Sequence, residues 1–474
     1  MIDAKVGRRG FLKRSTLWGA GIMAAPSINV LGANERVNVA VIGVGGRGGG
    51  HVHHFNNQKN VEVVAVCDAD TKHMDKFENI ANKHQDYRDV LDMKDVDAVV
   101  IASPNHWHAA ATVFACQAGK HVYVEKPLSH SIWGGQQMEK AAKKYKRIVQ
   151  AGTQQRSCPA PNAAGADIRA GKYGKVKWVH CMKLNKRAPI GLVKKPQPVP
   201  DHIDYNLWAG PAPKTPVMRE RFHYDWHWQW NWGDGEMGNW AVHYIDDLCN
   251  MLAWKHAPTS VITAGGRFVW KDNGNTPNME FSLMEHNGMP IVVEIRDLPH
   301  SSGRGSPGVY MGRRGGNIIQ CEDAVIKIAR GGGAAFDNNG KKIKDYPGNG
   351  GRGHASNFID AVRSGNSSDL NAPVEGGVLS SLICQQANIS YRLGKKASID
   401  QIRQSMKDHE DALNTIESVT QQIERNDGEL SKMRLGPKLE FDKNSEKFVG
   451  ANSDAANAFL RYEMREEFAI PETV

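Results

Sequence analysis

Three groups of residues near the start of the chain have the types and spacing to do chemistry together. The segment Gly43-Val44-Gly45-Gly46-Arg47-Gly48 places Gly43, Gly45 and Gly48 in G-x-G-x-x-G spacing, Asp68 closes the following apolar run, and Glu125-Lys126-Pro127 follows another. A dinucleotide site needs these types. The first glycine turns the chain sharply, the second lets backbone approach a diphosphate, and the third lets helix pack on strand, with the phosphates at the helix N-terminus. Asp68 would accept hydrogen bonds from ribose hydroxyls and repel a 2′-phosphate, so NAD is expected as cofactor ahead of NADP. Arg47 is the reservation, because it could serve a phosphate instead. A flexible glycine loop is the bland alternative; the order strand, glycines, helix, acid speaks against it.

Lys126 follows an apolar strand on the side where nucleotide crevices open, where a partly desolvated ammonium can give or take a substrate proton. A second candidate is His243, within Gly238-Asn239-Trp240-Ala241-Val242-His243-Tyr244-Ile245-Asp246. Asn239, four residues earlier, falls on the same helical face. Asparagine can orient a hydroxyl but cannot exchange its proton. Glu236 or Asp234 could supply a carboxylate, and Asp246 could orient the imidazole. The competing readings are a solvated lysine and a core histidine.

The elements that must position these groups form an alternating series. Val37–Ile42, Val61–Cys67, 97–102, His121–Val124 and 148–151 read as strands, with helices after the glycine loop, from His108 to Gly119 and over 133–146. This is a doubly wound parallel sheet. Beyond Gln155, the apolar segments 175–183, 259–270, 280–284 and 291–295 succeed one another without regular helices, which predicts a second, α+β domain built on a large, mostly antiparallel open sheet. Late helices are expected at 354–363 and 377–393, then a charged helical stretch at 401–425 and an irregular tail. The expected division is 1–33 as leader, 34–155 as nucleotide-binding domain, 156–396 as substrate and assembly domain, and 397–474 as an extension.

Other features exclude function classes. The formal charge of +9 comes partly from the first residues, and without them about +5 remains. There is no basic patch with interleaved aromatics to suggest nucleic acid. Seven dispersed cysteines lack C-x-x-C spacing and read as small buried residues. Trp226, Trp228, Trp230 and Trp232 alternate; in an extended segment they would share one side, fit to stack on a sugar or line an interface. His51, His53, His54, His106 and His108 raise a metal site, which is not expected.

Arg8-Arg9-Gly10-Phe11-Leu12-Lys13, followed by an uncharged stretch from Ser15 to Ala33, looks like a twin-arginine export signal, with cleavage expected near Ala33. Gly19, Gly21, Pro26, Asn29 and Gly32 interrupt a stretch barely long enough to span, so no stable membrane anchor is expected. Export in the folded state suits a protein that acquires a dinucleotide beforehand. Periplasmic or other extracytoplasmic residence is expected.

The glycine loop, Val66-Cys67-Asp68, Ser103-Pro104-Asn105-His106-Trp107-His108, Gly119-Lys120-His121-Val122-Tyr123-Val124-Glu125-Lys126-Pro127 and the segment 238–246 together resemble the glucose–fructose oxidoreductase/inositol dehydrogenase/MocA (Gfo/Idh/MocA) family over about residues 35–395. The chain is also similar to secreted twin-arginine members whose tails carry a segment like Leu435-Gly436-Pro437-Lys438-Leu439-Glu440-Phe441-Asp442. The resemblance implies a Rossmann domain, a C-terminal α/β domain whose open sheet makes a homo-oligomer, and NAD(P)-linked oxidation or reduction of a sugar, cyclitol or derivative. It further implies that Ser103, Pro104, Asn105, His108, Glu125 and Lys126 join Gly43, Gly45, Gly46, Arg47, Gly48 and Asp68 around the cofactor, with Trp107 near the nicotinamide ribose. Lys126 and His243 would then handle the substrate proton. Asn239 departs from the family's usual aspartate, which leaves open an NAD-dependent glycosidase working by transient oxidation. A cofactor-stabilised binding protein without turnover is the third alternative.

Overall fold

Runs rich in valine and isoleucine, closed by glycine or acid, form the first sheet. The computed structural model describes residues 36–301 and 306–474; the twin-arginine segment lies outside the described residues. Strands β1 (Val37–Ile42), β2 (Val61–Cys67), β3 (Asn82–His84), β4 (Ala98–Ile101), β5 (His121–Val124) and β6 (Val149–Ala151) form a six-stranded sheet in the order β3-β2-β1-β4-β5-β6. Every pairing in it is parallel. Helices cover both faces, so β1 and β4 are buried almost end to end, as their unbroken apolar runs require. The order reverses between β1 and β4, and the crevice that opens there at the carboxyl ends is where nucleotides bind in such sheets.

The second sheet has twelve strands. β7 (Val176–Leu184), β8 (Ser260–Gly266), β9 (Met279–His286) and β10 (Met289–Arg296) form its middle, and β11 (Gly315–Cys321), β12 (Ala324–Ala329), β13 (Gly332–Asp337) and β14 (Lys342–Pro347) extend one side. The β7–β10 pair is parallel and the others antiparallel. Alternation sorts the faces: Val179, Cys181, Ile319 and Ile326 pack beneath the helices Pro159–Arg169, Val242–Met251 and Val374–Leu393, while Met182, Leu184 and Ile318 lie on the other face. Strands β11 to β14, of which β11 and β13 open on paired glycines, are absent from the sequence-based expectation.

The tail is more regular than expected. The polar stretch divides into helices Ile399–Ser405 and Glu410–Glu424, the first opened by a capping box between Ser398 and Gln401. Their apolar faces, with Ile402, Ile416, Val419 and Ile423, cover the outer face of the sheet over Ile262, Phe281, Leu283 and Val292. The short β15 (Lys395–Lys396) pairs with β16 (Arg434–Leu435), and β16 and β17 (Leu439–Asp442) both pair with β8. Farther on, Phe468 and Ile470 enter the core of the first sheet. The half of the outer face over β8 to β10, which the resemblance implied as open, is therefore covered by the same chain.

Candidate active site

The glycine loop runs from β1 into the helix Arg47–Asn56. Gly43 has φ +84°, and a Cβ there would meet the Ser103 backbone nitrogen at 2.6 Å; one on Gly48 would meet the Gly43 carbonyl oxygen at 1.7 Å. Both positions require glycine. A Cβ on Gly46 would meet nothing within 4 Å, and no side chain caps the helix that follows it. The first N–H groups of that helix are thus left to an anion. Asp68, just beyond β2, accepts from Val44 N at 2.8 Å and lies 3.2 Å from His73 Nδ1. His73 packs over Gly45, so acid, imidazole and glycine share the ribose end of the crevice. Ser103 contributes a buried hydroxyl without a protein partner. These features fit a dinucleotide: an uncapped helix start, a carboxylate at the second strand and a hydroxyl in need of a partner.

The remaining cofactor-loop residues have defined tasks. Pro104 precedes the helix Asn105–Gln117. His108 lies 2.7 Å from the Ser103 carbonyl and 2.6 Å from that of Pro127, tying this loop to the Lys126 segment; burial pushes its pKa down, and the neutral ring donates to one of the two. Asn105 lines the cavity and donates from Nδ2 to Asp234 at 3.2 Å. Trp107 donates to Leu207 and Trp208 carbonyls and packs edge-on against Phe468, so it joins the crevice wall to the tail.

Glu125 and Arg47 are paired in the cavity wall. Arg47 Nε lies 3.1 Å from Glu125 Oε1, and both residues line the cavity with the glycine loop and Asp68. Glu125 also meets His51 Nε2 at 2.8 Å and Gln154 Nε2 at 3.1 Å; against burial, His51, Arg47 and Lys126 hold its carboxyl well below the usual range. Sequence reasoning missed Gln154, although its place just beyond β6 at the crevice end of a parallel strand was a usable signal.

Lys126 Nζ donates to the Asn239 backbone carbonyl at 2.7 Å and to its Oδ1 at 3.2 Å. Burial lowers the Lys126 pKa, opposed by Glu125 and Glu236. Asn239 lies in a π-type turn, Met237–Ala241, ahead of the helix that begins at Val242, so it and His243 do not sit on the plain α-helical face that the spacing suggested. Both nevertheless line the same cavity of about 410 Å³ as Lys126, the glycine loop and Asp68. His243 is buried, its pKa pushed well below the ordinary value by burial and by nearby Lys126 and Arg330. Among the described residues its ring makes no hydrogen bond.

The carboxylates proposed to assist His243 are engaged elsewhere. Asp246 accepts from Arg156 Nε and Nη2, at 2.8 and 2.9 Å. Asp234 binds His130, Gln385 and Asn105. Glu236 accepts from Asn239 Nδ2 at 3.2 Å and from Arg187 Nη2 at 2.9 Å, which leaves it one residue removed from Lys126.

The tryptophan row is also corrected. Asp225–Trp228 is a 3-10 turn, so the four rings do not share one side. Trp232 packs with Trp208 about the fully buried Arg219, each ring centroid 4.6 Å from its guanidinium carbon, and Trp226 reaches the cavity wall with Tyr224 and His227. The histidines raised as metal ligands do not gather: His51 serves Glu125, and His106 serves the Trp208 carbonyl. Asp70, His73 and His223 instead bring ligand-type atoms within 4.8 Å of one another. With His202 on the other Asp70 oxygen, they fasten the 200–223 segment to the first domain.

Comparison with known proteins adds to this geometry. Residues 37–153 match the model of an oxidoreductase family's NAD-binding Rossmann fold, and residues 175–268 match that family's C-terminal alpha/beta domain. A glycosyl hydrolase family 109 protein of Shewanella pealeana is 34% identical over 159 residues, 27% of this chain and 35% of the relative. An inositol 2-dehydrogenase of Salmonella paratyphi B is 32% identical over 177 residues, 36% of this chain and 52% of the relative. The chain therefore spans between about a third and a half of these two relatives' lengths. The WlbA dehydrogenase of Bordetella pertussis, solved with NADH and UDP-GlcNAcA, superposes with a TM-score of 0.55 at 17% identity over 76% of this chain and 97% of that one, a likeness of fold.

Proposed function

Because this chain belongs to the Gfo/Idh/MocA oxidoreductase family, with that family's NAD-binding Rossmann domain, we propose that it is an NAD-dependent oxidoreductase acting on a carbinol of a sugar, cyclitol or sugar derivative. The observation that carries the proposal is the half-buried Lys126 amine, fixed by Asn239 in the cavity that also holds the glycine loop and His243. NAD, when bound, accepts or returns the hydride. The chain's own residues manage the proton. In the oxidation direction a C–H and an O–H bond of the carbinol break; the C–H electron pair leaves as hydride, and the O–H proton passes to Lys126 or His243. Burial favours the neutral form of both, which is the form that accepts a proton. Asn239 holds Lys126 in place and exchanges no proton.

A second reading is favoured by one observation, the likeness to glycosyl hydrolase family 109 proteins. In that reading hydride leaves the sugar, a glycosidic bond breaks and hydride returns, with no net change in NAD. A binding protein without turnover is the third. Export by the twin-arginine route belongs to the same proposal and is supported by Arg8-Arg9 and the uncharged stretch behind them. Assembly of copies through the second sheet is supported by Ile343 of β14, exposed among the described residues, and by exposed Val309 and Met311 in the adjoining loop.

The deciding experiment denatures purified protein to identify its released nucleotide, then incubates the native protein with sugars, cyclitols and glycosides. NADH accumulation supports the dehydrogenase. Aglycone release with deuterium exchange at a sugar carbon, without net NADH, supports the glycosidase. Neither signal from protein that contains NAD leaves the binding protein.

A further inference from the structure

Arg330 stands at the tip of the β12–β13 hairpin and lines the cavity beside Lys126, Asn239 and His243. Among the described residues it makes no hydrogen bond and no ion pair. Its guanidinium carbon lies 5.8 Å from the Trp240 ring centroid, and Lys183 Nζ lies 4.1 Å from the same centroid. The carboxylates around this end are committed: Glu125 to Arg47 and His51, Glu236 to Arg187, and Asp246 to Arg156. Asp247 and Asp297, the other acids nearby, are buried with no oxygen hydrogen-bonded, and burial pushes the pKa of each well up, which favours the neutral acid. Arg330 thus faces the cavity with no carboxylate bound to it.

A guanidinium without a carboxylate partner in a partly desolvated cavity is poorly compensated, and an anionic ligand supplies the missing charge. A guanidinium offers a planar fork that two oxygens of one oxyanion can fill. We propose that Arg330 selects the substrate: the site takes a sugar bearing an oxyanion substituent, a carboxylate or a phosphate, which Arg330 binds while a carbinol of the same sugar faces Lys126 and His243. This inference rests on the oxidoreductase reading, since it names the substrate class of that site.

The test is calorimetric titration of NAD-loaded protein with hexuronates, aldonates and hexose phosphates, each paired with its neutral parent, alongside NADH formation. At least one anionic sugar is expected to bind roughly 10- to 100-fold more tightly than its parent. Added salt should weaken it. The carboxylate and phosphate series separate the two sources of the anion. Arg330→Met should erase the preference with bound NAD and melting temperature retained, and Arg330→Lys should restore part of it. The inference is overturned if no anionic sugar binds better than its parent, if nothing in the series binds, or if the preference survives Arg330→Met. Hydride transfer from neutral sugars without an anionic preference would overturn it and leave the oxidoreductase reading standing; absence of hydride transfer from every sugar tested would count against that reading separately.

Discussion

Lys126 and Glu236 are joined through one amide: Asn239 accepts from Lys126 Nζ at its Oδ1 and donates from its Nδ2 to Glu236 Oε2, each over 3.2 Å. Only an amide makes both bonds at once, since a carboxylate accepts without donating. Glu236 reaches on to Arg187. The carboxylate absent at position 239 is thus present one step farther from the lysine.

Asn239→Asp would set two carboxyl groups against each other beside Lys126. One of them must protonate, or Lys126 must hold its charge more firmly. Turnover near neutral pH should fall by about tenfold and the activity profile should move to higher pH. Lys126→Met should keep bound NAD and lose turnover by roughly 10²- to 10⁴-fold. Steady-state rates against pH, with nucleotide content measured on the same samples, check both; an unchanged profile in Asn239→Asp would remove the linkage.

Asp68→Ala should weaken NAD binding by roughly 10- to 100-fold and relax discrimination against NADP. The loss has two parts, because the carboxylate also anchors Val44 N. Asp68→Asn keeps an acceptor for Val44 and removes the charge, so it should relax discrimination with less loss of affinity. Titration of stripped protein with each cofactor distinguishes them; tighter NADP than NAD binding by the unaltered chain would reverse the cofactor assignment.

His180 predicts a pH dependence of stability. Its ring is fully buried between Glu294 at 3.0 Å and Asp411 at 2.8 Å, and these carboxylates raise its pKa to about 9 against burial. A folded-state value above the ordinary 6.5 gives stability that is complete below pH 6.5 and is lost as pH rises through about 9. The contribution is at most on the order of 3 kcal/mol. Denaturant midpoints should decline between pH 6.5 and 9, and His180→Gln should flatten that decline while loosening the helix Glu410–Glu424, which carries Asp411.

Phe468 tests whether the tail supports the crevice. Its ring is fully buried and meets Trp107 edge-on at 5.3 Å. Phe468→Ala should cost about 3–5 kcal/mol of stability. It should also weaken NAD binding, because Trp107 lines the crevice; denaturation and titration on one preparation read both effects.

Replacing Arg8 and Arg9 with lysine should hold folded protein in the cytoplasm. Cell fractionation against a cytoplasmic marker reads the outcome, and normal export of the double variant would exclude the twin-arginine route.

The sequence by itself determined the parallel sheet, because buried strands must be continuous apolar runs: Val37–Ile42, Val61–Cys67 and His121–Val124 lie where the runs do. It also determined the glycine turn and the place of Asp68, which follow from local backbone sterics and from position at a strand end. Tertiary structure decided what distance in the chain conceals. Arg47 turns to Glu125 across 78 positions, Lys126 to Asn239 across 113, and Arg330 arrives from the tip of the β12–β13 hairpin. The alternating tryptophans failed as a guide because period two shares a face only in extended backbone, and the chain turns at Asp225–Trp228. Pairings of this kind depend on which surfaces are buried together, and no local spacing records them.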